Sequence, residues 1–582
     1  MNNKMYLNVI HRVDSEEKDI NALKFQLQEA HRLNLKVTNL VTYPALFKGE
    51  IVSYIKGQRA IYGDEIGIHF HCMVNEEFKE QFKTEEQAIY FYSVEDKKAI
   101  ITSFFEKFKE GFGFYPESVG SYIFDAQTIN IIKEKYPSVK VSIINCFEEG
   151  VKMYEGNNHS WYLFSDGGPW GAYYPSKTNS LCPALSKEDD AGIVGLPHLN
   201  RDMLLALTSR DDYFASHPIN LMRAKINNGN ESMYMYRFID KWIEQAKYNG
   251  YSYYSFFVSS PWIAPGQGFV DSLEDAKELY TKALCYLKKK IDEGKVESLT
   301  MTEFADWYRE NIEIAKPEVN LWEDILCGSK RQMFWFVDPY LRVAVDPNMG
   351  GSICDLRAYS GRLERNIGPD TDHLWNGNYP FLISTEHRGG PGGTIHTFSI
   401  SCNGITKMIH EYRTKCNPVT NAEGYTGVVM DPIEVYFGDI KVTAQSSYSF
   451  YGGGKILIER AIKDISSPDV SVTLTEIHRG GFGTTQYPED MRGIELSIAN
   501  SSGMKKTIKY DYKCRSSKVD VPLYVEAVIP QINSKVTLMP YDPVDEGSFK
   551  EGYLFAPFYT LSLNKLVTKG GTLKSWLKIE KI

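Results

Sequence analysis

Glu65-Ile66-Gly67-Ile68-His69-Phe70-His71-Cys72 decides how the first half of this chain is read. Side chains alternate between the two faces of a strand, so Ile66, Ile68 and Phe70 share one face and Gly67, His69 and His71 share the other. The apolar face suits a layer of surrounding helices. The other face suits the lumen of a barrel, and the histidines stand at the C-terminal end of the strand, where barrel active sites form. Two imidazoles two residues apart, about 7 Å between Cα atoms, can hold one metal ion. The bland alternative is a pair of hydrogen-bonded core histidines.

Working outward from this segment, short β-rich runs alternate with helical patterns. Met5–Ile10, Val37–Tyr43, Ser118–Tyr122, Val141–Cys146, Ile193–Leu199, Tyr251–Val258 and Glu297–Met301 read as further strands. Between them, Ile20, Leu23, Leu27 and Ala30 mark one helix face, and helical patterns span 85–110, 126–135, 232–248 and 271–290. Strands alternating with helices imply parallel pairing with helical crossovers, and closure into a barrel is the economical arrangement at this length. The pattern changes after Pro317. From Gln332 onward the helical period disappears, and strand-like runs are separated by glycine-rich turns such as Gly452-Gly453-Gly454. The expected architecture is α/β plus all-β: a (β/α) barrel of seven or eight strands over 1–325, then a β-sandwich over 326–582.

The chain has 582 residues and a formal net charge of −9, which gives no electrostatic reason to expect nucleic acid or an anionic membrane as partner. No long apolar run and no leader-like N-terminus is visible, so a cytoplasmic protein is expected. Nine cysteines, an odd number without any CxxC, argue against a disulfide framework or a four-cysteine zinc site. Aromatic residues make up 13%, including 38 Tyr and 9 Trp. Such rings pack on the apolar faces of sugars, although a large all-β domain enriches them too.

Candidate functional residues follow the strand ends. Asp14, after the first strand, could complete a two-histidine, one-carboxylate metal site with His69 and His71 and leave positions open for water and substrate. Capping of the following helix is its structural alternative, and His11 is an alternative ligand. Asp125 follows the fourth strand. Asp166 lies in an insertion with Trp161, Trp170, Tyr173 and Tyr174, a composition suited to a sugar-binding wall. His198, Arg201 and Asp202 follow Gly195-Leu196-Pro197. Trp262 follows Ser259-Ser260-Pro261, and Glu303 follows the last strand.

An Asp ending the first strand and a Gly-Ile-His-x-His segment at the third resemble the first two motifs of polysaccharide deacetylases. The resemblance implies a divalent metal, usually zinc, held by Asp14, His69 and His71. Here the histidines are spaced by one residue where the family usually has three. Asp14 has no adjacent second aspartate, and Pro116–Asp125 lacks the arginine of the third motif. Ser118–Thr128 and Tyr173–Asn179 also resemble a bacterial family without assigned function. Tyr340–Asp346, leading into Gly350-Gly351-Ser352-Ile353-Cys354-Asp355-Leu356, resembles the opening of a galactose-mutarotase-like sandwich. Barrel plus sandwich is similar to the plan of family 38 α-mannosidases.

Three functions follow as expectations. The first is metal-dependent deacetylation of an acetylated sugar, with Asp125 or Asp166 as general base and His198 as general acid. The second is a glycosidase using a pair among Asp14, Asp125, Asp166, Asp202 and Glu303. The third is a non-catalytic glycan-binding protein. All three take a carbohydrate as ligand.

Overall fold

Parallel strands buried on both faces read as apolar runs, and the first strand, with nine of its ten residues buried, behaves accordingly. The computed structural model describes residues 3–145, 167–204, 225–226, 230–231, 233–264, 273–364, 379–385, 393–420, 426–481, 491–552 and 558–582. The chain divides into two compact units, Met1–Glu318 and Val319–Leu363 with Tyr379–Ile582. The division falls before the boundary expected after residue 325, because Glu318–Glu323 pairs into a sheet of the second unit.

The first unit alternates strand and helix: β1 (Lys4–Val13), α1 (Glu17–Arg32), β2 (Val37–Val41), α2 (Gly49–Tyr62), β3 (Glu65–His69), α3 (Glu76–Phe82), α4 (Val94–Phe112), β4 (Ser118–Gly120), α5 (Ala126–Lys135), β5 (Val141–Asn145), β6 (Val194–Pro197), α6 (Tyr234–Asn249), β7 (Tyr251–Phe257), α7 (Ser260–Ile263), α8 (Leu273–Asp292), β8 (Val296–Ser298) and α9 (Met301–Asn311). No helix was expected between β2 and β3. Only Ile51 and Ile55 of α2 are buried, a stripe too thin to read in the sequence.

The eight strands form one parallel sheet, with β1 through β6 hydrogen-bonded in chain order. β7 pairs with Lys4–Ile10 of β1. β8 pairs with Met5–Leu7 and β2 with Val9–Val13, so β8 and β2 share the other edge of β1. The sheet curls until the segment after β6 meets β7. Asn200 donates to the Tyr253 carbonyl at 2.9 Å and accepts from Ser255 N at 2.7 Å, and the Ser255 hydroxyl donates to the His198 carbonyl at 3.0 Å. Side chains thus join the ends of the curl where no ladder is described.

Helices cover the outer face. Phe70 packs edge-on against Phe104 and Phe124, with ring centroids 4.9 and 5.6 Å apart. Burying one such side chain stabilises the fold by about 2–3 kcal/mol. On the inner face, a Cβ on Gly67 would stand 2.4 Å from Ser118 Oγ and 2.8 Å from Leu40 Cδ2. The glycine admits Leu40 beneath the histidines, so only a residue without a side chain fits there.

The second unit consists of two antiparallel sheets, of eleven and ten strands among the described residues. Alternate residues are buried along Val472–Gly480 and Ile440–Phe450, as expected when each sheet covers a shared core with one face. Phe336 of one sheet stacks on Phe450 of the other at 4.3 Å. Among the described residues no helix is long and apolar enough to cross a membrane.

Candidate active site at the strand ends

The alternation in β3 carries His69 to the inner face at the end of the strand, and the next same-face residue, His71, follows just beyond it. β3 ends at His69 rather than running on to His71, which makes an isolated bridge to Ala88. The two rings lie nearly perpendicular, with centroids 6.3 Å apart. Tyr122, two residues past β4, sets its ring 4.4 Å from His71 and 5.8 Å from His69. His198, just past β6, lies 4.6 Å from Tyr122 and 4.0 Å from Phe257, the last residue of β7. Trp262 on α7 completes the aromatic wall, 6.4 Å from His198 and 5.8 Å from Phe257. Strands β3, β4, β6 and β7 each supply part of one cluster at one end of the sheet.

A cation reaches the cluster. Arg12 reaches it from β1, donating from Nε to Asp14 at 2.9 Å and from Nη1 to the Tyr122 hydroxyl at 2.7 Å. His69, His71 and His198 are fully or almost fully buried. Burial, then the Arg12 charge, pushes His69 and His71 well below the usual imidazole range; His198 adds to the effect on His71. Both are neutral at pH 7. Neither ring nitrogen of His69 makes a protein hydrogen bond of normal geometry. Burial raises Asp14, and Arg12 opposes the rise. Asp19, in the first turn of α1, is also buried, with Oδ1 outside any hydrogen bond. Burial, reinforced by Asp14 and Glu16, pushes its carboxyl up to about 7.

The expected zinc site does not fit this arrangement. Among the described residues no group of three His, Cys, Asp or Glu side chains is placed to hold a metal ion. Asp14 bonds Arg12, and that guanidinium already places a positive charge within electrostatic reach of both imidazoles. A divalent cation on His69 and His71 would be repelled by it. His11 is no substitute, because it points to the helical layer and bonds the Tyr280 hydroxyl at 2.8 Å.

The other expected site residues are placed as follows. Asp125 caps α5 through Thr128 N and pairs with Lys97 at 2.6 Å, both side chains fully buried. Asp202 accepts from the Tyr234 hydroxyl at 3.0 Å and from Leu204 N. Arg201 is buried after β6. Trp170 is buried. Tyr173 donates to the Ser180 carbonyl, and Tyr174 donates to the carbonyls of Tyr308 and Ile312, so both tyrosines pack within the fold. Glu303 stands at the opposite end of the sheet: its neighbour Thr302 bonds Glu65, the first residue of β3, whereas His69 is the last. Trp161 and Asp166 lie outside the described residues.

Arg12, Tyr122 and Phe257 were missed in the sequence. Arg12 carries a usable signal, because it shares the strand face of Asp14 two positions on. Tyr122 closes the strand-like run Ser118–Tyr122, and Phe257 is the last but one residue of Tyr251–Val258, both at the same end of the sheet as His69.

A family model described as a domain of unknown function with solved structure, DUF3863, matches residues 18–320. No curated protein matches the chain. Solved structures to which the chain is similar include a candidate glycoside hydrolase/deacetylase from Parabacteroides distasonis, at 16% identity over 65% of this chain and 89% of that one, TM-score 0.47. A candidate polysaccharide deacetylase from Mycobacterium smegmatis is similar at 12% identity over 53% and 91%, TM-score 0.31. A galactose mutarotase-like protein from Clostridium acetobutylicum is similar at 9% identity over 45% and 99%, TM-score 0.30.

Proposed function

The chain belongs to the DUF3863 family, and from the geometry at its strand ends we propose that it is a carbohydrate-active hydrolase that removes an acetyl group from an acetylated sugar or glycan. One observation carries the reading: His69, His71 and His198, delivered by two strands of the sheet, meet one arginine and an aromatic wall of Tyr122, Phe257 and Trp262. A neutral imidazole can take a proton from an attacking water and return it to the leaving group. The Arg12 charge favours negative charge developing on the carbonyl oxygen. The aromatic wall supplies the kind of surface on which a sugar ring packs.

Glycosidic cleavage is the weaker reading. It needs two available carboxyl groups, and here Asp14 is held by Arg12, Asp125 by Lys97 and Asp202 by Tyr234. The test is acetate release from fully acetylated chito-oligosaccharides by the wild type and His69→Ala, alongside 4-nitrophenyl glycosides and metal analysis of the purified protein. Acetate release lost in His69→Ala, with melting temperature kept, is the expected result. Cleavage of the glycosides without acetate release would overturn it, and a stoichiometric metal lost with His69 would restore the zinc site.

A further inference from the structure

Tyr122 differs from the other members of the cluster. The imidazoles and Phe257 are buried, whereas Tyr122 keeps partial exposure. Its hydroxyl oxygen accepts a hydrogen bond from Arg12 Nη1 at 2.7 Å. A phenol that accepts at oxygen still has its own proton to donate, and a cationic donor on that oxygen strengthens the donation. Arg12 is itself fixed by a second bond, Nε to Asp14 at 2.9 Å, so the guanidinium is oriented before any ligand arrives. Asp14 and Arg12 are nearly buried, with side-chain exposures of 12% and 8%, which keeps their interaction from being screened by solvent. The Tyr122 ring packs against both His71 at 4.4 Å and His198 at 4.6 Å.

We propose that Tyr122 is a catalytic residue whose hydroxyl donates a hydrogen bond to the substrate oxygen that becomes negative during acyl transfer, with Arg12 and Asp14 as the positioning residues behind it. The proposal rests on the deacetylase reading for the identity of that oxygen. No bond to Tyr122 forms or breaks. Its O–H stays intact while the carbonyl oxygen gains charge on attack by water and loses it when the acetyl carbon–nitrogen or carbon–oxygen bond breaks. Preorganised donors of this kind act on the transition state, because the hydroxyl is already oriented when the charge appears.

The experiment has two arms. In the first, steady-state hydrolysis of acetylated chito-oligosaccharides is compared for the wild type, Tyr122→Phe, Arg12→Lys and His69→Ala. Tyr122→Phe is expected to lower kcat about 100-fold with little change in KM. Arg12→Lys is expected to lose less, and the double variant no more than Tyr122→Phe alone. In the second arm, methylphosphonate, whose charged oxygens stand in for the developing oxyanion, is titrated calorimetrically into the same proteins. Tyr122→Phe is expected to weaken its binding at least tenfold. Activity lost in His69→Ala but retained in Tyr122→Phe overturns the proposal and leaves the deacetylase reading standing. Methylphosphonate binding that depends on Tyr122 in a protein without deacetylase activity supports the donor and removes that reading. Binding and activity both indifferent to Tyr122 overturn the proposal.

Discussion

Two clusters of buried histidines stand in the two units, and they are built on opposite terms. In the second unit, His396 Nε2 lies 2.6 Å from Glu476, His396 Nδ1 lies 3.3 Å from His478 Nδ1, and His478 Nε2 lies 3.3 Å from the Tyr559 hydroxyl. Arg460 donates twice to the same glutamate and once to Tyr448. Burial alone would raise Glu476, but the Arg460 charge and the His396 bond hold it down at about 2. The anionic glutamate therefore accepts a hydrogen bond from the Nε2–H of a neutral His396. His396 Nδ1 must then accept from His478 Nδ1, and Tyr559 must donate to His478 Nε2. Every ring nitrogen has a protein partner. In the first unit, His69 is as deeply buried, yet neither nitrogen makes a bond of normal geometry, and the neighbouring charge is a cation. A satisfied polar network rigidifies a core; an unsatisfied one is a standing cost that a ligand can remove.

The largest effect expected from breaking this contrast is in the second unit. Glu476→Gln leaves Arg460 buried without its carboxylate and should cost about 3–5 kcal/mol of stability, read as a lower denaturation midpoint for the second unit. The wild-type contribution of Glu476 is present above the unfolded carboxylate pKa and fades as pH falls through its folded value of about 2, so the deficit should shrink in acid. An equal deficit at pH 7 and pH 2 would mean the cluster is not held by that charge.

The opposite outcome is expected at His69. Replacing a buried imidazole whose nitrogens make no protein hydrogen bond of normal geometry by leucine removes a poorly satisfied polar group, so His69→Leu should be neutral or stabilise by about 1 kcal/mol while acetate release disappears. The sign with pH follows from its lowered folded pKa. The unfolded chain binds the extra proton, so stability falls as pH drops below the ordinary imidazole value, and His69→Leu should fall less. A large destabilisation in His69→Leu would place this cluster with the structural one.

Asp19 gives the smallest and most local test. Its folded pKa is raised to about 7, so the penalty for its charge grows as pH rises from the unfolded carboxylate value through 7. Asp19→Asn should therefore be about 1 kcal/mol more stable than the wild type at pH 8 and indistinguishable at pH 4. Thermal melts at the two pH values check this, and no gain at pH 8 would mean that Asp19 is better solvated than its burial implies.

Strand alternation in the sequence determined the inward face and strand-end position of His69, and the loss of helical period after Pro317 determined the change to antiparallel sheets. Both patterns are local, because a strand's faces repeat every two residues whatever surrounds them. The partners of each charge were decided only by the tertiary structure. Lys97 neutralises Asp125 from a helix 28 residues away, and Arg12 crosses to Tyr122 over 110 residues. Glu303, which follows a strand as the other candidates do, comes to lie beside the start of β3, because β8 pairs with only the first part of β1. Spacing along the chain carries face and periodicity. Which charges meet, and whether a buried nitrogen finds a donor, depends on how strands far apart in sequence are brought side by side.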